Sequence, residues 1–210
     1  MISAIISDIH GNLPALELLL KKTKFVERYI SLGDVVNYGP WSNECVELLE
    51  TLKIIKIKGN HDEYFINKKI NSENKLLNDF FNHSFKNFNN FDKLIQYKDS
   101  HFEEGVFYTH TLENQYIYQD TNIDYEHNLF IGHTHRQFFY KKNNKFLANP
   151  GSVGQNRSNI NKIEYIIFDS DIKNVELKFI EFDINVIINE MVLKSYPQQC
   201  IEYYLSKIND

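Results

Sequence analysis

Five of the eight histidines fall in short segments that also carry aspartate or asparagine. In order these are Asp8-Ile9-His10-Gly11-Asn12, Gly33-Asp34, Gly59-Asn60-His61-Asp62, Thr109-His110 and Gly132-His133-Thr134-His135. Imidazole, carboxylate and carboxamide donors together suit first-row transition ions, and five dispersed segments offer more ligands than one ion needs, so the expected chemistry is hydrolysis at a two-metal centre. Asp8 and His10 are two residues apart, a spacing that in extended backbone projects both side chains to one side, and His133 and His135 repeat it. Asp34 follows a glycine that permits a tight turn, and its two carboxylate oxygens are the minimum needed to bridge two cations held within about 4 Å. Asn60 adds a neutral carbonyl oxygen. His83, His101 and His127 lie outside these motifs and read as surface or structural histidines.

The motifs follow apolar runs. Ile2 to Ile6 is too short for a helix and suits a strand covered on both faces, ending where Asp8 and His10 begin. Asn12 is placed to cap a helix with Pro14 in its first turn and Leu13, Leu16, Leu19 and Leu20 on its apolar face. The pattern recurs in Tyr29 to Leu32, then a helix carrying Cys45, Val46, Leu48, Leu49 and Leu52, then Ile54 to Ile57. Alternating strand and helix implies parallel pairing, and ligands of such sheets collect beyond the carboxyl ends of the strands, where these motifs lie. A helical stretch from Ser72 to Phe91 carries Leu77, Phe80, Phe81, Phe85 and Phe88 and could cap the site or pack on the sheet. The second half reads as strands at 105–109, 128–131, 137–140, 146–147, 164–168 and 175–180, with Asn143-Asn144 as a hairpin turn. Pro197 is expected to open a last helix with Cys200, Ile201, Tyr204, Leu205 and Ile208 inward.

A chain of 210 residues, 42% hydrophobic and 14% aromatic, is long enough for one core, and a single domain over residues 1–210 is expected. A formal charge of −5 gives no basic footprint, which disfavours a large nucleic-acid interface. A phosphate-bearing substrate would then be attracted locally by bound cations. Cys45 and Cys200 fall on apolar stripes and read as reduced core residues of a reducing compartment. The N-terminus lacks a basic region before its apolar run, and no apolar stretch reaches membrane-spanning length, so a cytoplasmic protein without membrane association is expected. The sequence leaves oligomeric state open.

The ordered set Asp-x-His, Gly-Asp, Gly-Asn-His-Asp, Thr-His and Gly-His-Thr-His resembles the calcineurin-like metallophosphoesterase superfamily. The stretches Ser7 to Leu16, Gly33 to Pro40 and Asn149 to Gly154 further resemble its small bacterial phosphoesterases and phosphodiesterases. The resemblance implies an α/β fold, a four-layer α/β/β/α sandwich of two facing mixed sheets with flanking helices. It implies Asp8, His10, Asp34 and His135 around one divalent transition ion and Asp34, Asn60, His110 and His133 around the other, with manganese, iron, zinc, nickel or cobalt all tolerated by such ligands. In that class a metal-bridging hydroxide attacks a phosphomonoester or phosphodiester, here of a small molecule or nucleotide. His61 resembles the non-ligand histidine that protonates the leaving group or stabilises charge in the transition state. The phosphoprotein-phosphatase branch has aspartate and arginine where this chain has Asn37 and Tyr38. Asn37 is then expected to accept a hydrogen bond from His61 through its carbonyl, or His61 to rely on Asp62. Arg157 offers a replacement phosphate clamp, and Tyr38 lies where substrate contacts are expected. Two other functions come into view: a dinucleoside polyphosphate hydrolase, whose motif is echoed with Tyr38 for arginine, and a non-catalytic protein-binding scaffold, which would be expected to lose ligands that this chain retains.

Overall fold

The computed structural model describes residues 1–208. The first half alternates as the apolar runs predict: β1 (Ile2–Ile6), α1 (Leu13–Lys22), β2 (Arg28–Ser31), α2 (Ser42–Glu50), β3 (Ile54–Lys56) and α3 (Asn60–Ile66). Then come α4 (Lys75–Phe85), α5 (Phe91–Leu94), β4 (Ser100–Glu103), β5 (Val106–Thr109), β6 (Asn128–Ile131), β7 (Phe138–Lys142), β8 (Lys145–Asn149), β9 (Lys162–Asp169), β10 (Asn174–Glu181), α6 (Asn185–Leu193) and α7 (Gln198–Leu205). Two five-stranded mixed sheets result, in the orders β10-β9-β1-β2-β3 and β4-β5-β6-β8-β7. The central strands β1, β2 and β3, and likewise β5, β6 and β8, run parallel. The sheets face each other across a core of Ile5, Ile30, Tyr108, Phe130, Phe146, Ile166 and Phe168.

Outside the first sheet, Leu16 and Leu19 of α1 and Cys45, Val46 and Leu49 of α2 pack on Ala4, Ile6 and Ile167. The second sheet's outer face is covered by the segment 111–127, whose Ile117 is buried against Leu129, Ile131 and Leu147. Asn12 caps α1 as expected, its Oδ1 accepting the Ala15 N–H at 3.1 Å. Asn143 and Asn144 both adopt left-handed backbone, the geometry that a two-residue hairpin demands.

Three local expectations are corrected. The stretch expected as helical over 72–91 is helical only from Lys75 to Phe85, with α5 starting at Phe91, because Asn87, Asn89 and Asn90 bond Asn43 instead of continuing the helical ladder. Leu205 is half exposed rather than inward, since the buried stripe of α7 runs through Cys200, Ile201 and Tyr204. The strand expected at 146–147 extends over all of β8, pairing with β7 from Lys145 to Asn149. Cys45 and Cys200 are buried free thiols. Among the described residues no helix is long and apolar enough to cross a membrane.

Candidate metal centre

The strands β1, β2, β5 and β6 end at one rim, and the loops leaving them carry the motif residues. Those loops turn sharply: Asp8, His10, Asp34, Asn37, Tyr38, His133 and His135 all have φ between 48° and 74°. This left-handed region is uncommon for residues with a side chain and least costly for Asn, Asp and His, so the turn chemistry and the ligand chemistry demand overlapping residue types. Gly59 shows how closely the backbones approach, because a Cβ there would overlap the Asp34 carboxylate.

The motif residues meet in two groups that share Asp34: Asp8, His10, Asp34 and His135, and Asp34, His110 and His133. Asp34 Oδ1 accepts the His61 backbone N–H at 2.8 Å, while Oδ2 lies 3.3 Å from His110 Nε2 and 3.8 Å from His10 Nε2, between the two groups. Asn60, the first residue of α3, places Oδ1 3.1 Å from His110 Nε2 and 2.9 Å from His133 Nδ1.

Three rings are held by backbone carbonyls. His10 Nδ1 is 3.1 Å from Val36 O, His110 Nδ1 2.9 Å from Leu32 O and His135 Nδ1 2.6 Å from Gln155 O. A carbonyl only accepts, so each Nδ1 donates to it and Nε2 is the nitrogen that each ring turns into the centre, free to bind a cation once it carries no proton. His10 Nε2 and His135 Nε2 then face each other at 3.2 Å, and His135 Nε2 lies 3.2 Å from Asp8 Oδ1. Asp8 Oδ1 is buried and accepts no hydrogen bond. Lone pairs converging in a buried space repel unless a cation lies among them, so the first group fits a divalent ion, and the second offers the same carboxylate, imidazole and carboxamide donor types.

Electrostatics agree. Burial opposes the imidazolium at His110, but the Asp34 carboxylate beside it, with Asp8 and Asp62 behind, outweighs that and pushes it up to about 9. Burial disfavours charge on Asp34 and Asp8 too, yet the histidines around them hold both below the usual carboxylate range. His10 and His133 are pushed down, by burial first and neighbouring histidines second, His133 to about 4. His110 of the metal-free protein therefore carries a proton below about 9, and a cation must displace it. Metal uptake near neutral pH is expected to release roughly one proton per chain and to strengthen as pH rises toward that value. Titration calorimetry in buffers of different ionisation enthalpy measures this, and uptake without proton release would contradict the assigned protonation.

His61 lies beside these groups, its ring 5.0 Å from that of His10. Its Nδ1 is 2.7 Å from Asn37 Nδ2, while Asn37 Oδ1 accepts the Tyr38 N–H at 2.8 Å and the Ser84 hydroxyl at 2.9 Å. The Tyr38 N–H can only donate, which fixes the amide so that its NH₂ faces the imidazole. The expectation that Asn37 accepts from His61 is thus corrected: Asn37 donates, Nδ1 is bare, and the ring proton sits on Nε2. Asp62 is not an alternative partner either. Its Oδ2 accepts the N–H groups of Asp34 and Gly59 at 2.9 Å, and its Oδ1 accepts those of Val35 at 2.9 Å and Val36 at 3.3 Å. Asp62 positions the Asp34 loop rather than the histidine.

A chamber of about 410 Å³ opens above the centre, with Asp34, Asn60, His61, His133 and His135 in its floor. Tyr38, Tyr64, Phe80, Tyr116 and Tyr203 wall it, and Arg157 enters from the loop after β8, its guanidinium 5.9 Å from the Tyr116 ring. Tyr38 packs at 5.1 Å from His61 and 4.6 Å from Phe80. The aromatic helix both caps the site, through Leu76, Leu77 and Phe80, and packs on the core, through Phe81 and Phe85. His83, His101 and His127 lie elsewhere, against Tyr196, Glu103 and Phe102. Sequence patterns missed Ser84, Tyr116 and Tyr203. Ser84, a lone hydroxyl among the phenylalanines of α4, was a usable signal; the two tyrosines stand in no motif.

A model described as the calcineurin-like phosphoesterase superfamily domain matches residues 1–173. The chain belongs to that superfamily. This phosphoesterase-family chain is 31% identical to the uncharacterised protein MJ0912 of Methanocaldococcus jannaschii, over 93% of each chain. Among solved structures it is similar to a metallophosphoesterase from Sphaerobacter thermophilus (TM-score 0.83, 24% identity, 99% of both chains). It is also similar to the hypothetical protein PH1004 from Pyrococcus horikoshii (TM-score 0.85, 18% identity, 97% of both). At these identities the two structures speak for the fold; the buried Asp/His cluster that could hold metal is this chain's own.

Proposed function

We propose that this member of the superfamily hydrolyses a phosphate ester of a small molecule or nucleotide, using two divalent transition ions. Asp8, His10, Asp34 and His135 would hold one ion, and Asp34, Asn60, His110 and His133 the other. The observation that carries this reading is the inward turn of three carbonyl-anchored imidazoles around the shared Asp34 carboxylate, directly beneath a chamber large enough for a substrate. Bound there, two cations would supply Lewis acidity toward the phosphoryl oxygens and a water acidified toward neutral pH. The protein's own groups do the rest. His61 presents an Nε2–H donor beside the residues that would hold the ions, suited to a leaving oxygen or a developing charge. Arg157 offers a planar fork to phosphoryl oxygens, and the aromatic wall suits a flat leaving group or base.

Metal analysis of protein purified without chelator should find about two transition ions per chain. Hydrolysis of mono- and bis-nitrophenyl phosphate with added manganese then assigns the ester class, and inactivity on both would count against the reading. Removing the Arg157 guanidinium with Arg157→Ala is expected to raise KM about 10- to 100-fold, the loss of one charge-assisted hydrogen-bonding group, with metal content unchanged. An unaltered KM for every ester cleaved would remove Arg157 from substrate binding.

A further inference from the structure

The first sheet ends in an edge strand that is complementary to itself. β10 lies at one end of the order β10-β9-β1-β2-β3 and is eight residues long, without proline or glycine. Ser170 N–H donates to Met1 O, so the even-numbered residues of β9 bond toward β1 and the odd-numbered ones toward β10. From the register Asp169↔Asn174 it follows that Asn174, Glu176, Lys178 and Ile180 bond to β9, while Val175, Leu177 and Phe179 turn N–H and C=O outward. The side chains of these three share the face of their partners Phe168, Ile166 and Glu164, at the open end of the core between the sheets. Leu177 is 41% exposed and Phe179 56%. An uncovered strand of this length with apolar side chains is a template for another strand.

Which strand it takes is written in its own order, Asn174-Val-Glu-Leu-Lys-Phe-Ile-Glu181. We infer that a second copy of this chain pairs with it, β10 antiparallel to β10 about a two-fold axis at Leu177, joining two five-stranded sheets into one of ten strands. In that register Leu177 faces Leu177 and Val175 faces Phe179 in both directions, and these are the residues whose backbone groups point outward. Glu176 faces Lys178, also in both directions, on the opposite side of the sheet. A two-fold contact needs such self-complementarity, and two cross-strand ion pairs fix its register. Moving the axis by half a residue would set Glu176 opposite Phe179 and leave the charges unmatched.

Sedimentation equilibrium of the full chain tests this. The wild type should sediment at twice the chain mass in the micromolar range. Glu176 and Lys178 are both exposed, so charge reversals there leave the monomer fold intact. E176K alone and K178E alone each set like charges across the axis and should weaken dimerisation about tenfold or more. Mixing the two variants restores opposite charges only between different chains, and a heterodimer of wild-type strength is expected. The pair that Glu176 and Lys178 make within one chain, at 2.7 Å, stays broken in both variants, so mixing cannot repair it. A monomeric wild type, single variants that dimerise normally, or a mixture that stays dissociated would each overturn the inference.

Discussion

Asp34→Asn is expected to lower kcat/KM by at least about 10³-fold and to reduce bound metal to one ion per chain or fewer. The reason is charge, since asparagine has the same shape. The new side chain can still accept the His61 N–H at Oδ1, but an amide at the position of Oδ2 would turn toward Nε2 of His10 and His110 an NH₂ that cannot ligate a cation. Two dications held about 4 Å apart would repel by roughly 17 kcal/mol at an effective dielectric of 20, and the Asp34 carboxylate shared by the two groups is the one placed to offset it. Asp8 touches only the first group, so Asp8→Asn should lose one ion and retain the other. Elemental analysis with hydrolysis of bis-nitrophenyl phosphate distinguishes these outcomes, and circular dichroism checks that the fold survives. Two ions retained by Asp34→Asn would remove the bridge from the model of the centre.

Much of this arrangement is legible in the sequence because ligands and strand ends coincide. Ile2 to Ile6, Tyr29 to Leu32 and Gly105 to Thr109 announce strands through apolar runs, and each is followed within three residues by Asp8, Asp34 or His110. Parallel topology then brings those ends to one rim without further information. What stays hidden is whatever depends on which atom of a side chain faces which neighbour. Asn37 can donate or accept, and its residue type does not say which; the Tyr38 N–H decides, through a left-handed turn that appears only in three dimensions. Asp62 likewise reads as a spare acid beside His61 until four backbone N–H groups are found on its oxygens. The chamber walls are hidden for another reason. Tyr116 and Tyr203 come from a segment without periodic pattern and from the far end of the chain, and nothing local marks either as facing Arg157.

The left-handed backbone at Asp8, His10, Asp34, His133 and His135 links stability to function. Such conformations persist only where the surroundings over-determine them. Here the surroundings are the Asp62 carboxylate, the carbonyls that hold the imidazoles, and the Asp8 carbonyl, which accepts the Gly154 N–H at 3.0 Å and the Ser152 hydroxyl at 2.8 Å. The Asn149 to Gly154 stretch therefore buttresses the Asp8, His10, Asp34 and His135 group, and the next residue, Gln155, orients His135 through its carbonyl. Preorganisation of this kind keeps the donor atoms in place before any ion arrives.

His61→Ala should reduce kcat by about 10² to 10⁴ and leave metal content unchanged, because the side chain lines the chamber and its ring is no part of either candidate metal group. Loss of an ion would instead make His61 a ligand. The sharper question is how the histidine acts, and Asn37 answers it. Burial, with smaller help from the nearby His135 and His110, outweighs the opposing pull of the Asp34 carboxylate and holds His61 down at about 4, so the ring is neutral across the physiological range. The Asn37 amide adds to this by donating to Nδ1, since a proton there would face another N–H. A neutral Nε2–H donor stabilises charge by hydrogen bonding rather than by giving up a full proton, and the wild-type kcat should show no limb from His61 titration near neutrality. Asn37→Asp replaces the donor by an acceptor of negative charge, still able to receive the Tyr38 N–H and the Ser84 hydroxyl. His61 should then bind a second proton, its pKa should rise, and kcat should gain a descending alkaline limb where that proton is lost. Asn37→Ala removes the donor without adding charge and should show no such limb. A pH profile of kcat for the three proteins decides the matter: if the Asn37→Asp profile matches the wild type, Asn37 does not set the protonation of His61.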